Sequence, residues 1–117
     1  MQHFPIFIAA QNRKIVLSGG GEAAIAKLRL LMKTEAKIVT FAAEACDEIK
    51  AWAAQDRLQL VPRALGAGDV TGAVLFYAAN ENAAEDARVA KIAEAAGALI
   101  NIVDNLAESQ FITPAIV

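Results

Sequence analysis

Short, continuous apolar runs of strand length alternate along the chain with longer segments whose apolar residues recur at helical spacing. The apolar runs predict six strands, over residues 14–18, 37–41, 58–62, 73–79, 98–103 and 111–117. The segments between them predict three helices, over residues 22–33, 46–55 and 85–96. The run 73–79 is the most hydrophobic, so we expect it at the centre of the sheet. Pro114 marks the last run as an edge strand or a break.

This alternation predicts the fold class. Strands joined through helices form βαβ units, and continuous apolar strands are typical of sheets buried on both faces. We therefore predict an α/β fold, a Rossmann-like, doubly wound, mostly parallel sheet with helices on both faces, formed by residues 1–117 as one domain. Because the chain stops on an apolar run, we expect a piece of a longer protein. The alternative is a last strand that folds back as the sheet edge.

Composition and charge exclude several classes of protein. Of the 117 residues, 56% are apolar and 21% are charged, which excludes a disordered chain. The net charge is −2 and no basic cluster occurs, so we expect no nucleic-acid partner. No apolar run approaches the roughly 18 residues of a membrane span, and the N-terminus lacks signal-peptide features. One cysteine, Cys46, and one histidine, His3, predict a cytoplasmic protein without a disulfide framework or a bound metal.

A glycine-rich turn follows the first predicted strand. Gly19, Gly21 and Ala24 fit the pattern G-x-G-x-x-[G/A] at the point where a strand passes into a helix. In a dinucleotide site the first glycine makes the tight turn, the second admits the pyrophosphate, and the small third residue packs helix against sheet. The sequence therefore predicts a nicotinamide dinucleotide site, and the alternative is a flexible turn without a ligand.

Two acidic residues follow later strands. Glu44 lies 20 residues after Ala24 and could bind a ribose hydroxyl, or it could be a solvated residue at a helix start. No arginine stands in that loop to pair with a 2′-phosphate, so we expect NAD rather than NADP. Asp104 ends the strand 98–103 and would face the crevice at the carboxyl ends of the strands. It could take a proton while NAD takes a hydride, or it could only form a turn.

Three stretches, FPIFI near the start, GGGEAAIAKLRLL, and NIVDN followed by FITPAIV, together resemble the N-terminal domain of siroheme synthase. This family comprises precorrin-2 dehydrogenases that often double as sirohydrochlorin ferrochelatases. The resemblance covers essentially all 117 residues in order. It implies that NAD⁺ oxidises precorrin-2 to sirohydrochlorin, that ferrous iron is then inserted as a substrate, and that the full-length protein is a homodimer.

The resemblance also implies site residues. The aspartate of the Asn–x–Val–Asp motif is the family's catalytic residue and matches Asp104. The family's nucleotide contacts follow the glycines and the second strand. The implied cofactor-binding residues are Gly19, Gly20, Gly21, Glu22, Ala23, Ala24, Ala43, Glu44 and Asn80.

This sequence departs from the family pattern at several positions. Asn80 replaces a threonine, Asp86 stands where an asparagine is usual, and Ser18 replaces an aliphatic residue. The family also continues beyond the last run of this chain. Because a precorrin carries eight carboxylates and this chain is itself acidic, we expect the substrate cleft to be completed by further segments or a partner subunit. The alternatives to an enzyme are a module that senses NAD(H) through a partner and a degenerate domain that has lost binding.

Overall fold

The computed structural model describes residues 1–114. Within that range the strands are β1 (Lys14–Ser18), β2 (Lys37–Phe41), β3 (Gln59–Val61), β4 (Ala73–Ala78) and β5 (Leu99–Ile102). The helices are α1 (Glu22–Leu31), α2 (Asp47–Ala54) and α3 (Ala83–Ala95). Each of the first five predicted strands and each predicted helix is therefore present, with ends that shift by one or two residues.

All neighbouring strands are parallel, in the order β3-β2-β1-β4-β5. The predicted α/β, doubly wound, Rossmann-like sheet is confirmed. The expectation that the run 73–79 is central is wrong, because β1 occupies the middle and β4 lies beside it. In a doubly wound sheet both halves start next to the first strand, so β1 has two later strands on either side.

Helices cover both faces of the sheet and form two apolar cores. Ile15 and Leu17 of β1 pack with α1 and α2, while Val16 between them points to the face covered by α3. This alternation follows from the strand period of two. Trp52 of α2 and Tyr77 of β4 are 8% and 2% exposed and belong to the first core. The carboxyl ends of all five strands consequently lie at one edge of a rigid sheet.

The last predicted strand, 111–117, is not formed in its described part, residues 111–114, and residues 115–117 lie outside the described range. The preceding segment instead covers the outer edge of β5. Gln110 N donates to Ile100 O at 2.8 Å, Ile100 N donates to Gln110 Oε1 at 3.0 Å, and Ile102 N donates to Ser109 Oγ at 3.0 Å. Because these bonds satisfy the edge groups of β5, residues 105–110 take the place of a further strand.

Candidate dinucleotide-binding site

The glycine turn between β1 and α1 is tied to the loops that follow both neighbouring strands. Gly19 N donates to Phe41 O at 3.0 Å, beyond the last pair of β1 and β2. On the other side, Ala79 N donates to Ser18 O at 2.8 Å. Cys46 N donates to Gly20 O at 2.9 Å. The turn is therefore a fixed part of the sheet edge, not a flexible connection.

Two of the three glycines are required by the packing of the protein itself. Gly19 has φ +150°, and a Cβ there would overlap the Ala79 carbonyl group, lying 2.6 Å from its carbon. A Cβ on Gly20 would overlap the Glu44 carbonyl oxygen and lie 3.0 Å from Ala42 Cβ. The fingerprint gives no role to the middle glycine, yet this position is as crowded as the first.

Gly21 differs from the other two glycines because its surroundings are open. A Cβ there would meet only Glu81 Oε2, at 3.0 Å. Gly21 is the N-cap of α1 and offers no side-chain oxygen to the first-turn N–H groups of that helix. Exposed donors beside an open glycine suit the phosphates of a dinucleotide. Ala24 is fully buried, as close packing of helix on sheet requires.

The remaining predicted contacts lie around this turn. Glu22 is exposed in the first turn of α1 and Ala23 is half-buried beside it. Ala43 and Glu44 are exposed in the loop between β2 and α2, where the Glu44 carbonyl packs on Gly20. The structure therefore brings the glycine turn and the loop after β2 into direct contact, as binding of one dinucleotide by both would need.

Asn80 holds the loop after β4 through a cluster with two neighbours. Its Nδ2 group donates to Ser18 Oγ and to Asp86 Oδ1, both at 3.0 Å, and its backbone N donates to Asp86 Oδ1 at 3.0 Å. Asp86 is only 8% exposed and lies in the first turn of α3. The three residues that depart from the family pattern, Ser18, Asn80 and Asp86, are therefore joined by hydrogen bonds. Both amide hydrogens of Asn80 are used within the protein.

Asp104 lies two residues beyond β5 and adopts φ +62°, a left-handed conformation that Asp tolerates better than most residues. Its exposed side chain lines a cavity of about 670 Å³ between α3 and the segment that follows β5. Five carboxylate side chains line this cavity, against one cation, Lys91; they are Glu81, Asp86, Glu94, Asp104 and Glu108. The Glu81 carboxylate would lie 3.0 Å from a Cβ on Gly21, so one lining residue of this cavity stands next to the glycine turn.

The sequence analysis assigned no role in the site to Arg63, which follows β3, or to Glu81, which follows β4. The Arg63 guanidinium carbon lies 5.3 Å from the centroid of the Phe41 ring at the end of β2. Arg63 pairs with the Asp69 carboxylate, and Lys14 Nζ donates to the backbone oxygen of Asp69 at 3.2 Å. Glu81 lies three residues beyond β4. Each follows a predicted strand at the carboxyl edge of the sheet, and that position is the signal that could have found them.

Within residues 1–114 no helix is long and apolar enough to cross a membrane. The same range contains no group of three or more His, Cys, Asp or Glu side chains arranged to hold a metal ion.

Residues 6–115 match the model of a protein family described as "Putative NAD(P)-binding". The chain belongs to this NAD(P)-binding family. The match spans nearly the whole sequence and includes the glycine turn, the loop after β2 and Asp104. A nicotinamide cofactor is therefore supported for this chain, as the glycine fingerprint predicted, and the choice between NAD and NADP is left to the details of the site.

The chain is also similar to siroheme synthases. The siroheme synthases of Pseudoalteromonas atlantica and Chromobacterium violaceum are each 36% identical to this chain over all 117 residues. The chain spans 25% of the length of each of these relatives. The solved structure of SirC, a precorrin-2 dehydrogenase, superposes with a TM-score of 0.84 at 20% identity, over 97% of this chain and 55% of that one. The resemblance to siroheme synthases is confirmed, and the structural likeness confirms the fold.

Proposed function

We propose that this chain binds NAD at the glycine turn and takes part in the oxidation of precorrin-2 to sirohydrochlorin in siroheme biosynthesis. The observation that carries the proposal is that one cavity begins at Glu81, beside Gly21, and reaches Asp104. A cofactor bound at the turn and a base at the cavity could then serve one reaction. The names of the siroheme synthase relatives and of the precorrin-2 dehydrogenase with the same fold support this assignment.

The cofactor is held mainly by backbone groups in this proposal. The first-turn N–H groups of α1, at Glu22 and Ala23, receive the pyrophosphate beside Gly21. The loop at Ala43 and Glu44 receives the adenosine ribose, with the Glu44 carboxylate accepting from a ribose hydroxyl. A carboxylate at this point favours NAD, since it would repel a 2′-phosphate. Bound NAD⁺ would supply the hydride acceptor.

Asp104 acts as the general base. Dehydrogenation removes a hydride and a proton from precorrin-2, and the exposed Asp104 carboxylate would accept that proton. Iron insertion into sirohydrochlorin releases two pyrrole N–H protons, and the same carboxylate would accept these in turn. Ferrous iron is a substrate in this step and not a resident metal.

The acidic lining of the cavity argues that other segments complete the substrate site. Four further carboxylates accompany Asp104, and Lys91 is the one cation among the lining residues. A tetrapyrrole with eight carboxylates would be repelled from such a surface unless cations were added. We therefore propose that the remaining parts of the longer protein, or the partner in a homodimer, supply these cations. The single cysteine, Cys46, fits a cytoplasmic location.

Calorimetric titration of this chain with NAD⁺ and NADP⁺ tests the binding. We expect sub-millimolar affinity for NAD⁺ and weaker affinity for NADP⁺. The absence of binding by a folded chain would contradict the proposal. Formation of NADH from NAD⁺ and precorrin-2 then tests catalysis. Binding without turnover would favour the alternative, a module that senses NAD(H) through a partner.

The substitution Asp104→Asn tests the base. Asparagine keeps the shape of the side chain and tolerates the left-handed backbone, so we expect NAD⁺ affinity to be unchanged and kcat to fall by about 10²–10⁴. Asp56→Asn is a matched control, because Asp56 is also exposed and has φ +58° but lies before β3, at the opposite sheet edge. Equal kcat values in the two variants would rule out Asp104 as the base.

A further inference from the structure

Arg63 occupies a position on the adenosine side of the glycine turn. It lies two residues beyond β3, and its guanidinium carbon is 5.3 Å from the centroid of the Phe41 ring. Phe41 ends β2 and accepts a hydrogen bond from Gly19 through its backbone oxygen. The guanidinium group therefore lies against the side chain that ends β2, the strand next to β1.

Asp69 fixes the orientation of this guanidinium group. Arg63 Nη1 and Nη2 donate to the two carboxylate oxygens of Asp69, at 2.7 and 2.9 Å. Gly66 N also donates to the Asp69 carboxylate, at 2.7 Å. The Arg63 guanidinium lowers the pKa of Asp69 to about 2, so the pair is charged at neutral pH. The two parallel bonds hold the guanidinium plane in one orientation.

More than half of the Arg63 side chain is exposed. Its guanidinium carbon lies over the buried Phe41 ring and its two Nη atoms donate to Asp69, yet 56% of the side chain remains accessible. A flat, oriented guanidinium supported by an aromatic ring is a surface on which a nucleobase stacks. Its occupied edge is, by contrast, poorly placed to bind a further anion.

We propose that Arg63 binds the cofactor by stacking its outer guanidinium face against the adenine ring, and that Asp69 favours NAD over NADP by occupying the guanidinium edge. The inference rests on the proposed binding of NAD at the glycine turn and adds to it a residue that recognises the base. In parallel strands the ribose-binding loop follows β2, so the next group outward, after β3, meets the base attached to that ribose. Because Asp69 accepts from both guanidinium donors, these donors cannot bind a 2′-phosphate in a bidentate manner.

The substitution Arg63→Lys tests the stacking. Lysine keeps the charge opposite Asp69 but has no flat face, so we expect affinity for ADP-ribose to fall about tenfold, as for the loss of one stacked base. Arg57→Lys is the matched control, because Arg57 is exposed in the turn before β3, at the opposite edge of the sheet. Urea unfolding followed by Trp52 fluorescence checks that each variant is folded. Equal ADP-ribose affinity of the two variants would refute the stacking while leaving NAD binding intact.

The substitution Asp69→Asn tests the specificity. Asparagine frees part of the guanidinium edge and removes the opposing charge, so we expect the preference for NAD⁺ over NADP⁺ to fall about tenfold. Asp56→Asn should leave the ratio unchanged. A purely structural role of the Arg63–Asp69 pair would lower both affinities together and keep their ratio, which would overturn this part. If the wild-type chain bound neither ADP-ribose nor NAD⁺, the proposed function itself would fail.

Discussion

Alanine at Gly20 should destabilise the fold, whereas alanine at Gly21 should not. A Cβ on Gly20 would overlap the Glu44 carbonyl oxygen and lie 3.0 Å from Ala42 Cβ and 3.1 Å from Ala45 Cα. These are largely backbone atoms of a loop held by the Cys46 N to Gly20 O hydrogen bond of 2.9 Å. Relieving the overlap means moving that loop, which should cost about 2–3 kcal/mol of the free energy of unfolding.

The same methyl group at Gly21 meets a different neighbour. The nearest atom is Glu81 Oε2, at the end of a flexible, exposed side chain, and Gly21 has φ −117°, which alanine adopts readily. We expect the free energy of unfolding to change by less than about 0.5 kcal/mol. The added Cβ would nevertheless occupy the space beside the first turn of α1, and we expect NAD⁺ affinity to fall by about tenfold or more.

Two measurements on the pair separate packing from binding. Thermal unfolding, followed through the fluorescence of the single tryptophan, Trp52, should show a midpoint lowered by roughly 10 °C for Gly20→Ala and unchanged for Gly21→Ala. Titration with NAD⁺ should show the opposite order of defects once the folded fraction is taken into account. Equal midpoints for the two variants would refute the steric reasoning at Gly20, and unchanged NAD⁺ affinity of Gly21→Ala would refute the role given to the open glycine.

Two further outcomes follow from charges near the site. Because the Glu81 carboxylate lies beside Gly21, Glu81→Gln should raise NAD⁺ affinity severalfold at low salt and less at high salt. Glu94→Gln, near the other end of α3, should leave the affinity unchanged. Titrations with NAD⁺ at two salt concentrations check both expectations. The Arg63 guanidinium lowers the pKa of Asp69 from 3.8 to about 2, so this pair stabilises the folded chain above pH 4, and that contribution is lost as pH falls from about 4 towards 2. Urea unfolding at stepped pH should therefore show that the free energy of unfolding falls less for Asp69→Asn than for the wild-type chain between about pH 4 and 2. An equal fall in the two proteins would contradict the assignment.

The order of strands and helices could be read from the sequence because its causes are local. Hydrophobic period and run length distinguish strand from helix, and parallel pairing follows from the alternation of the two. The segment 111–114 was the exception. Its apolar run predicts a strand, but side chains and backbone of residues 105–110 already satisfy the outer edge of β5, so the structure gives it no strand partner in the described range.

The candidate site also has a part that local sequence predicts and a part that depends on long-range contacts. The local pattern of Gly19, Gly21 and Ala24 predicts a dinucleotide turn directly, because the pattern involves only near neighbours along the chain. Such a pattern cannot predict contacts between residues far apart in the chain, such as the pair Asn80 and Ser18, which are 62 positions apart. The pairing of Arg63 with the Phe41 ring and the cluster of Asn80 with Ser18 exist only because parallel strands bring their carboxyl ends to one edge.

The sequence by itself determined the α/β class, the position of the glycine turn and the family to which the chain belongs. Tertiary structure decided which glycine is free for a ligand. The Ala79 carbonyl occupies the space beside Gly19, and the Glu44 carbonyl occupies the space beside Gly20. Of the three glycines in the turn, only Gly21 faces open space. The physical reason is that a propensity belongs to a residue and its near neighbours, whereas the space around an atom depends on every segment that the fold packs against it.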